Sequence, residues 1–453
     1  MRKLLLLVGL LAVMLVPQSS RAEEAGIDDE PAPEAVEGLH GPMARALRER
    51  VREETLFPQL KRKLEKQPPF LRDTELTLKP RTYYFDQRLE DNSRRRAWAL
   101  GGSLNYRSGW LKEYFAIGAE LFTSQKLIGE PDEDGTRLLK PGQESYTVLG
   151  QLYAALRYED HTLTLYRQEL ELPYVNKQDS RMTPNTFEGY TLRGTFALPE
   201  ADKMDYIIGY LAKMKPRDDD SFISMSEAAG VPGRDRGLAM VGARVGPWGG
   251  LLFGATNDYV PDVINIGYAE ADYTLSLSDD LGLRLQGQFT DQRSVGDDLL
   301  TGSAFDTWVL GGRAAASYRG AILSLAFSTT DEEEAIRSPY GRYPGYVNLM
   351  QADFNRAGED AWLLGLSYHF KRVGLDNLSA FANYAEGYNA RDSTTDSSLP
   401  DQREFDITGD YRVRKGPLRG FWLRVRWSVL DIDGEDNNRY NVRVILNYAI
   451  PVL

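Results

Sequence analysis

The sequence predicts an all-β fold: a transmembrane antiparallel β-barrel of about 18 strands, preceded by a short helical periplasmic N-terminal extension. Three observations predict it. From residue 73 onward, apolar and polar residues alternate with a period of two over segments of roughly ten residues, the length that crosses a bilayer at a tilt. Tight links alternate with long ones along the chain. The 453 residues also include 41 glycines and 25 tyrosines at a negative mean hydropathy, as a wall with one lipid face and one water face requires.

Before the strands, residues 1–22 read as a secretory signal. Arg2 and Lys3 make a basic start, Leu4 to Val16 an apolar run, and Ser20 and Ala22 supply small residues at a cleavage point. The run is shorter than the about 20 residues of a membrane-spanning helix. Residues 23–37, acidic and proline-bearing, read as a disordered tail. Residues 42–66 read as a charged helix, with Ala44, Leu47 and Val51 and then Leu60 and Leu64 at helical spacing. A solvated charged face is the plain reading of that helix, and a periplasmic docking element or pore plug the sharper one. The expected division is signal peptide 1–22, tail and helical extension 23–70, and barrel 71–453. Without cysteine the chain has no disulfide and no thiolate metal site. With 54 basic against 66 acidic residues, nucleic acid is disfavoured as a partner.

The strands then follow in order: 74–86, 95–108, 112–124, 145–158, 161–169, 187–197, 203–214, 236–246 and 249–258. The second half gives 263–276, 282–292, 304–318, 320–330, 359–370, 378–387, 402–413, 418–431 and 438–450. "SYTVLGQLYAALRY" sets Tyr146, Val148, Gly150, Leu152, Ala154, Leu156 and Tyr158 on one lipid face, with a tyrosine for each membrane interface. "AWLLGLSYHF" does the same with Trp362, Leu364, Leu366, Tyr368 and Phe370, and "RYNVRVILNYAI" with Val442, Val444, Leu446, Tyr448 and Ile450. "FWLRVRWSVL" turns Phe421, Leu423, Val425, Trp427 and Val429 to lipid and Arg424 and Arg426 to water. Links such as "RG" at 319–320 and "KGP" at 415–417 are tight, whereas 125–144, 170–186, 214–235, 292–303, 331–358 and 388–401 are long. Short periplasmic turns and long external loops are the habit of such barrels.

A cation facing lipid at mid-bilayer costs about 2–4 kcal/mol, so arginines fix each strand's parity. The water face then collects Arg284, Arg313, Arg412, Arg414, Arg424, Arg426 and Arg443, giving a basic lumen in an acidic protein. These cations either brace the wall against Glu75, Glu404, Asp406 and Asp410 or form a track for carboxylates. The strands of Arg424, Arg426 and Arg443 offer Ser428, Asn441 and Asn447 rather than acids, which favours the track. No enzyme is expected: His40, His161 and His369 have no G-x-S-x-G or metal-ligand cluster beside them. No cofactor or metal is expected either, because "GEPDEDG" (129–135) and "DEEEA" (331–335) lack calcium-loop spacing.

Several long stretches resemble the OprD (Occ) family of substrate-specific outer-membrane porins. They are "LPYVNKQDSRMTPNTFEG" (172–189), "SPYGRYPGYVNLMQADFNRAGEDAWLLGLSYHF" (338–370) and "FDITGDYRVRKGPLRGFWLRVRW" (405–427). "RTYYFD" (81–86) and "AWALGGSLNYRSGW" (97–110) are similar to that family's opening strands. The charged helix at 42–66 has no counterpart in the family pattern. The resemblance implies an eighteen-stranded barrel whose narrow pore is constricted by the third and seventh external loops, here 170–186 and 331–358. It also implies a basic ladder, for which Arg412, Arg414, Arg424, Arg426 and Arg443 are candidates on matching strands. Lys177, Asp179 and Arg181, with Tyr340, Arg342 and Tyr343, become candidates for the constriction. The expected function is passive, substrate-selective diffusion of small carboxylate-bearing solutes across the outer membrane of a Gram-negative bacterium. The alternatives are a porin for neutral oligosaccharides or a structural or adhesive surface barrel. Expected partners are small anionic or zwitterionic solutes, outer-membrane lipid and lipopolysaccharide, in a monomer or loose trimer.

Overall fold

Strands with one apolar face can leave no edge unpaired in a bilayer, and closure into a barrel removes every edge. The computed structural model of this chain, which describes residues 55–199, 203–416 and 418–453, has that form. The expected signal peptide, the acidic tail and most of the 42–66 helix lie outside the described residues. Eighteen strands run antiparallel, each to the next. They are β1 (Glu75–Arg88), β2 (Arg94–Arg107), β3 (Phe115–Ile128), β4 (Tyr146–Tyr158), β5 (His161–Gln168), β6 (Thr186–Ala197), β7 (Lys203–Lys215), β8 (Leu238–Trp248) and β9 (Leu251–Val260). There follow β10 (Ile264–Ser276), β11 (Leu281–Arg293), β12 (Asp306–Tyr318), β13 (Ala321–Thr330), β14 (Asp360–His369), β15 (Leu378–Tyr388), β16 (Gln402–Arg412), β17 (Phe421–Ile432) and β18 (Arg439–Tyr448). β18 closes on β1, with Arg81 opposite Asn447 and Phe85 opposite Arg443. The eighteen predicted spans coincide with these strands to within a few residues.

The periplasmic connections are tight. Arg319 and Gly320 form one of them with both φ angles positive (51° and 85°), the backbone twist that suits a two-residue hairpin. Four of the external connections bear on function: L2 (129–145), L3 (169–185), L4 (216–237) and L7 (331–359). Two short helices, α1 (Pro58–Leu64) and α2 (Pro69–Arg72), precede β1. The segment just before α1 is stitched to the last residues of the barrel, where the Leu56 and Phe57 N–H groups donate to the Pro451 and Val452 carbonyls at 2.8 and 3.2 Å.

Leu323, Leu325, Phe327, Leu364, Leu366, Ile407, Val425 and Trp427 are exposed on the outer wall, as a lipid belt must be. The β4 expectation is correct only in its lower half. The β3–β4 register shifts between the Glu120 and Leu121 positions, so Gly150 is an extra residue in a β-bulge. Parity inverts there: Leu152 and Leu156 stay on the lipid face, while Tyr146 and Val148 turn inward and are buried. Tyr146 is therefore not part of an aromatic girdle. Its hydroxyl lies 3.0 Å from Thr183 Oγ1 and donates to the Arg217 carbonyl at 3.0 Å. The bulge needs glycine, because a Cβ at Gly150 would lie 2.5 Å from the Phe122 ring.

The apolar core sits inside the barrel. L3 contributes Leu170, Leu172, Tyr174 and Val175, and L7 contributes Ile336, Tyr340 and Tyr343. They pack on inward wall residues that include Phe187, Ile207, Leu211, Met240 and Ile266.

Candidate functional site: an eyelet built by inward-folded loops

L3 leaves β5 at Gln168 and doubles back on itself. The Leu172 N–H donates to the Val175 carbonyl at 3.0 Å, and the Lys177 N–H to the Leu170 carbonyl at 2.8 Å. Buried Asn176 then zips L3 to L7. Its Nδ2 donates to the Leu172, Pro173 and Arg342 carbonyls, and its Oδ1 accepts the Arg342 N–H at 2.8 Å. L7 has to offer bare backbone at this point, since a Cβ on Gly341 would fall 2.6 Å from Asn176 Cγ. Tyr340 and Tyr343, candidates for the constriction, are buried in the packing between the two loops, with Tyr343 6.4 Å from the Tyr174 ring.

The tip of L3 is fastened to the wall by charge-assisted bonds. Arg81 of β1 grips Asp179 with two of them, the longer at 2.9 Å, and also donates to the Arg181 carbonyl at 2.6 Å. The depth of the site would raise the Asp179 carboxyl, but Arg81 beside it holds it below the ordinary range. Tyr83 donates to the Ser180 carbonyl, and buried Lys215 donates to Thr183 Oγ1 at 3.1 Å and the Pro216 carbonyl at 2.7 Å. Arg217 of L4 donates to Ser180 Oγ. Lys177 approaches Glu171 at 3.8 Å.

The arginines divide into paired and unpaired sets. Arg424 is held by both oxygens of Asp410 at 2.8 and 2.9 Å, an acid that arrives from the neighbouring β16. Arg284 is likewise held by Asp272. Arg412 stacks over Trp422, 4.2 Å from the ring centroid, and Arg414 follows it in the periplasmic turn. Arg313 donates to Gln286 Oε1 and lies over Tyr346 of L7 at 4.9 Å. Arg426 donates to Thr408 Oγ1 at 3.0 Å. Arg443, directly opposite it in the β17–β18 register, donates to Asn441 and to the Met350 carbonyl. Among the described residues neither Arg426 nor Arg443 has an ion-pair partner. Phe85 carries the guanidiniums of Arg181 and Arg443 at 5.2 and 5.1 Å.

Loops close the ring around that pair. Removal from bulk water, and then its neighbour Arg217, pushes Arg181 down to about 9. Arg217 is pushed to about 10 by the same loss of water and by Arg137, and Arg342 to about 10 with Arg426 adding to the effect. All three remain cations at neutral pH. A cavity of about 430 Å³ opens beside them, lined in part by Arg137, Arg217, Arg342, Asp218, Glu227 and Asp353.

Sequence reasoning did not single out Arg217 or Asn176. Arg217 stands in "PRDDD", which reads as solvated and self-neutralising charge. The fold instead gives Asp220 to Lys140 at 2.9 Å and sets Asp218 3.9 Å from Arg137.

The sequence matches the outer membrane porin, OprD family, over residues 68–452. The chain belongs to the OprD family. OccK9 (OpdG) of Pseudomonas aeruginosa is 23% identical, covering 85% of this chain and 100% of its own at a TM-score of 0.76. OpdK of the same species, solved with vanillate, is 21% identical over 84% of this chain and 100% of its own, at 0.74. A BenF-like porin of Pseudomonas fluorescens Pf-5 is 20% identical over 84% and 100%, at 0.75. These structures share the fold. No curated protein matches the sequence. OprD-family porins are passive channels of the Gram-negative outer membrane rather than enzymes, and this barrel is one of them.

Proposed function

We propose that this porin passes small solutes bearing a carboxylate, such as amino acids and aromatic or other organic acids. The observation that carries the reading is the pair Arg426 and Arg443. Like charges directly opposite across two strands are destabilising, and among the described residues neither arginine makes a direct ion pair, Asp406 and Glu404 offsetting them only from a longer range. Arg181, Arg217 and Arg342 converge on the same ring, so an anion entering it would supply the missing counter-charge. Phe85, itself buried, lies under the guanidiniums of Arg181 and Arg443 and gathers both cations at that ring. The vanillate in OpdK, an aromatic carboxylate in the same fold, supports the class.

Solute uptake into proteoliposomes tests it, with benzoate, amino acids and a neutral disaccharide compared at equal concentration. Carboxylates should enter fastest, and Arg426→Ala with Arg443→Ala should abolish their advantage. Equal rates for the disaccharide and the carboxylates would refute the reading.

A further inference from the structure

α1 precedes the stretch that matches the OprD family, so the family's transport chemistry does not explain it. The helix has 7 residues and none of them is buried, whereas about 12–15 are needed to hold a helix in water alone. Leu60 and Leu64 share one helical face, and Phe57 extends that face from the cap. Leu56, Phe57 and Leu60 are 56%, 52% and 45% exposed, and Leu71 of α2 is 42% exposed. Lys61 donates to the Thr74 carbonyl at 2.9 Å. Arg62, Lys63 and Lys66 are exposed and have no ion-pair partner among the described residues. Between residues 55 and 73, Lys61, Arg62, Lys63, Lys66 and Arg72 face only Glu65 and Asp73, so this segment is basic in an acidic chain. It is also fastened to the lipid side of the wall. Phe115 of β3 lies opposite Leu156 of the lipid belt, and Phe70 of α2 stacks on Phe115 with ring centroids 6.5 Å apart. The Phe70 carbonyl accepts the Gly109 N–H at 3.0 Å, so closely that a Cβ on Gly109 would lie 2.1 Å from the Pro69 oxygen. Leu111 and Tyr114, exposed in the same β2–β3 connection, carry the apolar belt on to α2.

We propose that α1 and α2 form an interfacial anchor that lies in the periplasmic headgroup layer of the outer membrane and binds anionic phospholipid. Phe57, Leu60 and Leu71 enter the boundary of the acyl chains, where the membrane supplies the apolar partner that the protein does not. Arg62, Lys63 and Lys66 reach the headgroup phosphates on their long stems. The anchor is attached only at β18, β1 and the β2–β3 connection, so it ties one sector of the barrel to the leaflet. It is independent of the carboxylate reading above.

The chain has no cysteine, so a single introduced one carries a fluorescent probe without background. Leu60→Cys reports the apolar face and Gln59→Cys, turned about 100° from it, reports the other side. The labelled full chain is reconstituted in vesicles of phosphatidylcholine, with or without phosphatidylglycerol, that contain a shallow nitroxide lipid. The nitroxide should quench the Leu60 probe about threefold more than the Gln59 probe, and aqueous iodide should show the reverse order. Phosphatidylglycerol should raise the nitroxide quenching at Leu60 about twofold, and Arg62→Gln with Lys63→Gln should remove that gain. A Leu60 probe that iodide reaches as readily as Gln59 overturns the proposal. So does one shielded from iodide yet untouched by the nitroxide, which marks a helix covered by protein or inserted in the pore. Equal quenching with and without phosphatidylglycerol overturns the binding of anionic lipid.

Discussion

Arg424 and Arg426 stand two positions apart on the same face of β17, yet their neighbours give them different roles. Arg424 neutralises Asp410, which is almost wholly buried and also accepts the Trp422 indole N–H. Removing Arg424 strands a buried carboxylate, so Arg424→Ala should destabilise the barrel by about 3–5 kcal/mol in denaturant unfolding from lipid vesicles. Adding Asp410→Asn should restore most of that loss. Arg426→Ala with Arg443→Ala relieves repulsion but also withdraws the cations that face buried Asp406 and Glu404 from longer range, so it should cost less stability than Arg424→Ala. Its effect belongs to transport: the anion-to-cation permeability ratio should fall on the order of tenfold, since two charges leave a narrow pore. Residue types in the sequence could not separate these roles. Arg424 and Arg426 share a face by parity, and only the register of β16 sets an acid opposite one and Thr408 opposite the other.

At the scale of elements, the strands were legible because lipid penalises every wrong parity, while the loops had no such constraint. β17 and β18 read correctly from their arginines and from Val425, Val442 and Val444. β4 misled in its upper half because one extra residue at Gly150 inverts parity without changing composition. The involvement of 170–186 and 331–358 followed from family resemblance, but the amide that joins them, Asn176, left no periodic trace. Asn176→Ala should raise single-channel conductance and its noise, because the donation and the acceptance that join L3 to Arg342 of L7 disappear together with two donations that brace L3 itself. The wall does not use Asn176, so the midpoint of barrel unfolding should change by less than the roughly 1 kcal/mol expected of a typical site.

For the whole molecule, the outer and inner surfaces obey opposite rules. Val425→Arg puts a cation on the lipid belt and should cost about 2–4 kcal/mol in the same unfolding measurement. The closed eighteen-strand architecture was readable from alternation and link length alone, since both follow from the solvent on each side of the wall. Where the core lies was not readable. Tyr174, Phe187, Met240 and Tyr340 look like core residues of any protein, and their sequence positions do not say that the core fills the lumen.

That location ties permeation to cohesion. In a soluble enzyme the groups that recognise a substrate line a cleft beside the core; here Tyr340 and Tyr343, which flank Arg342 of the proposed filter in sequence, belong to the core itself. A substitution that widens the filter therefore also removes packing, and one that improves packing also narrows the filter. Evolution toward a bulkier solute has to pass through leakier, softer intermediates, and warming should make the channel lose discrimination before the wall itself gives way.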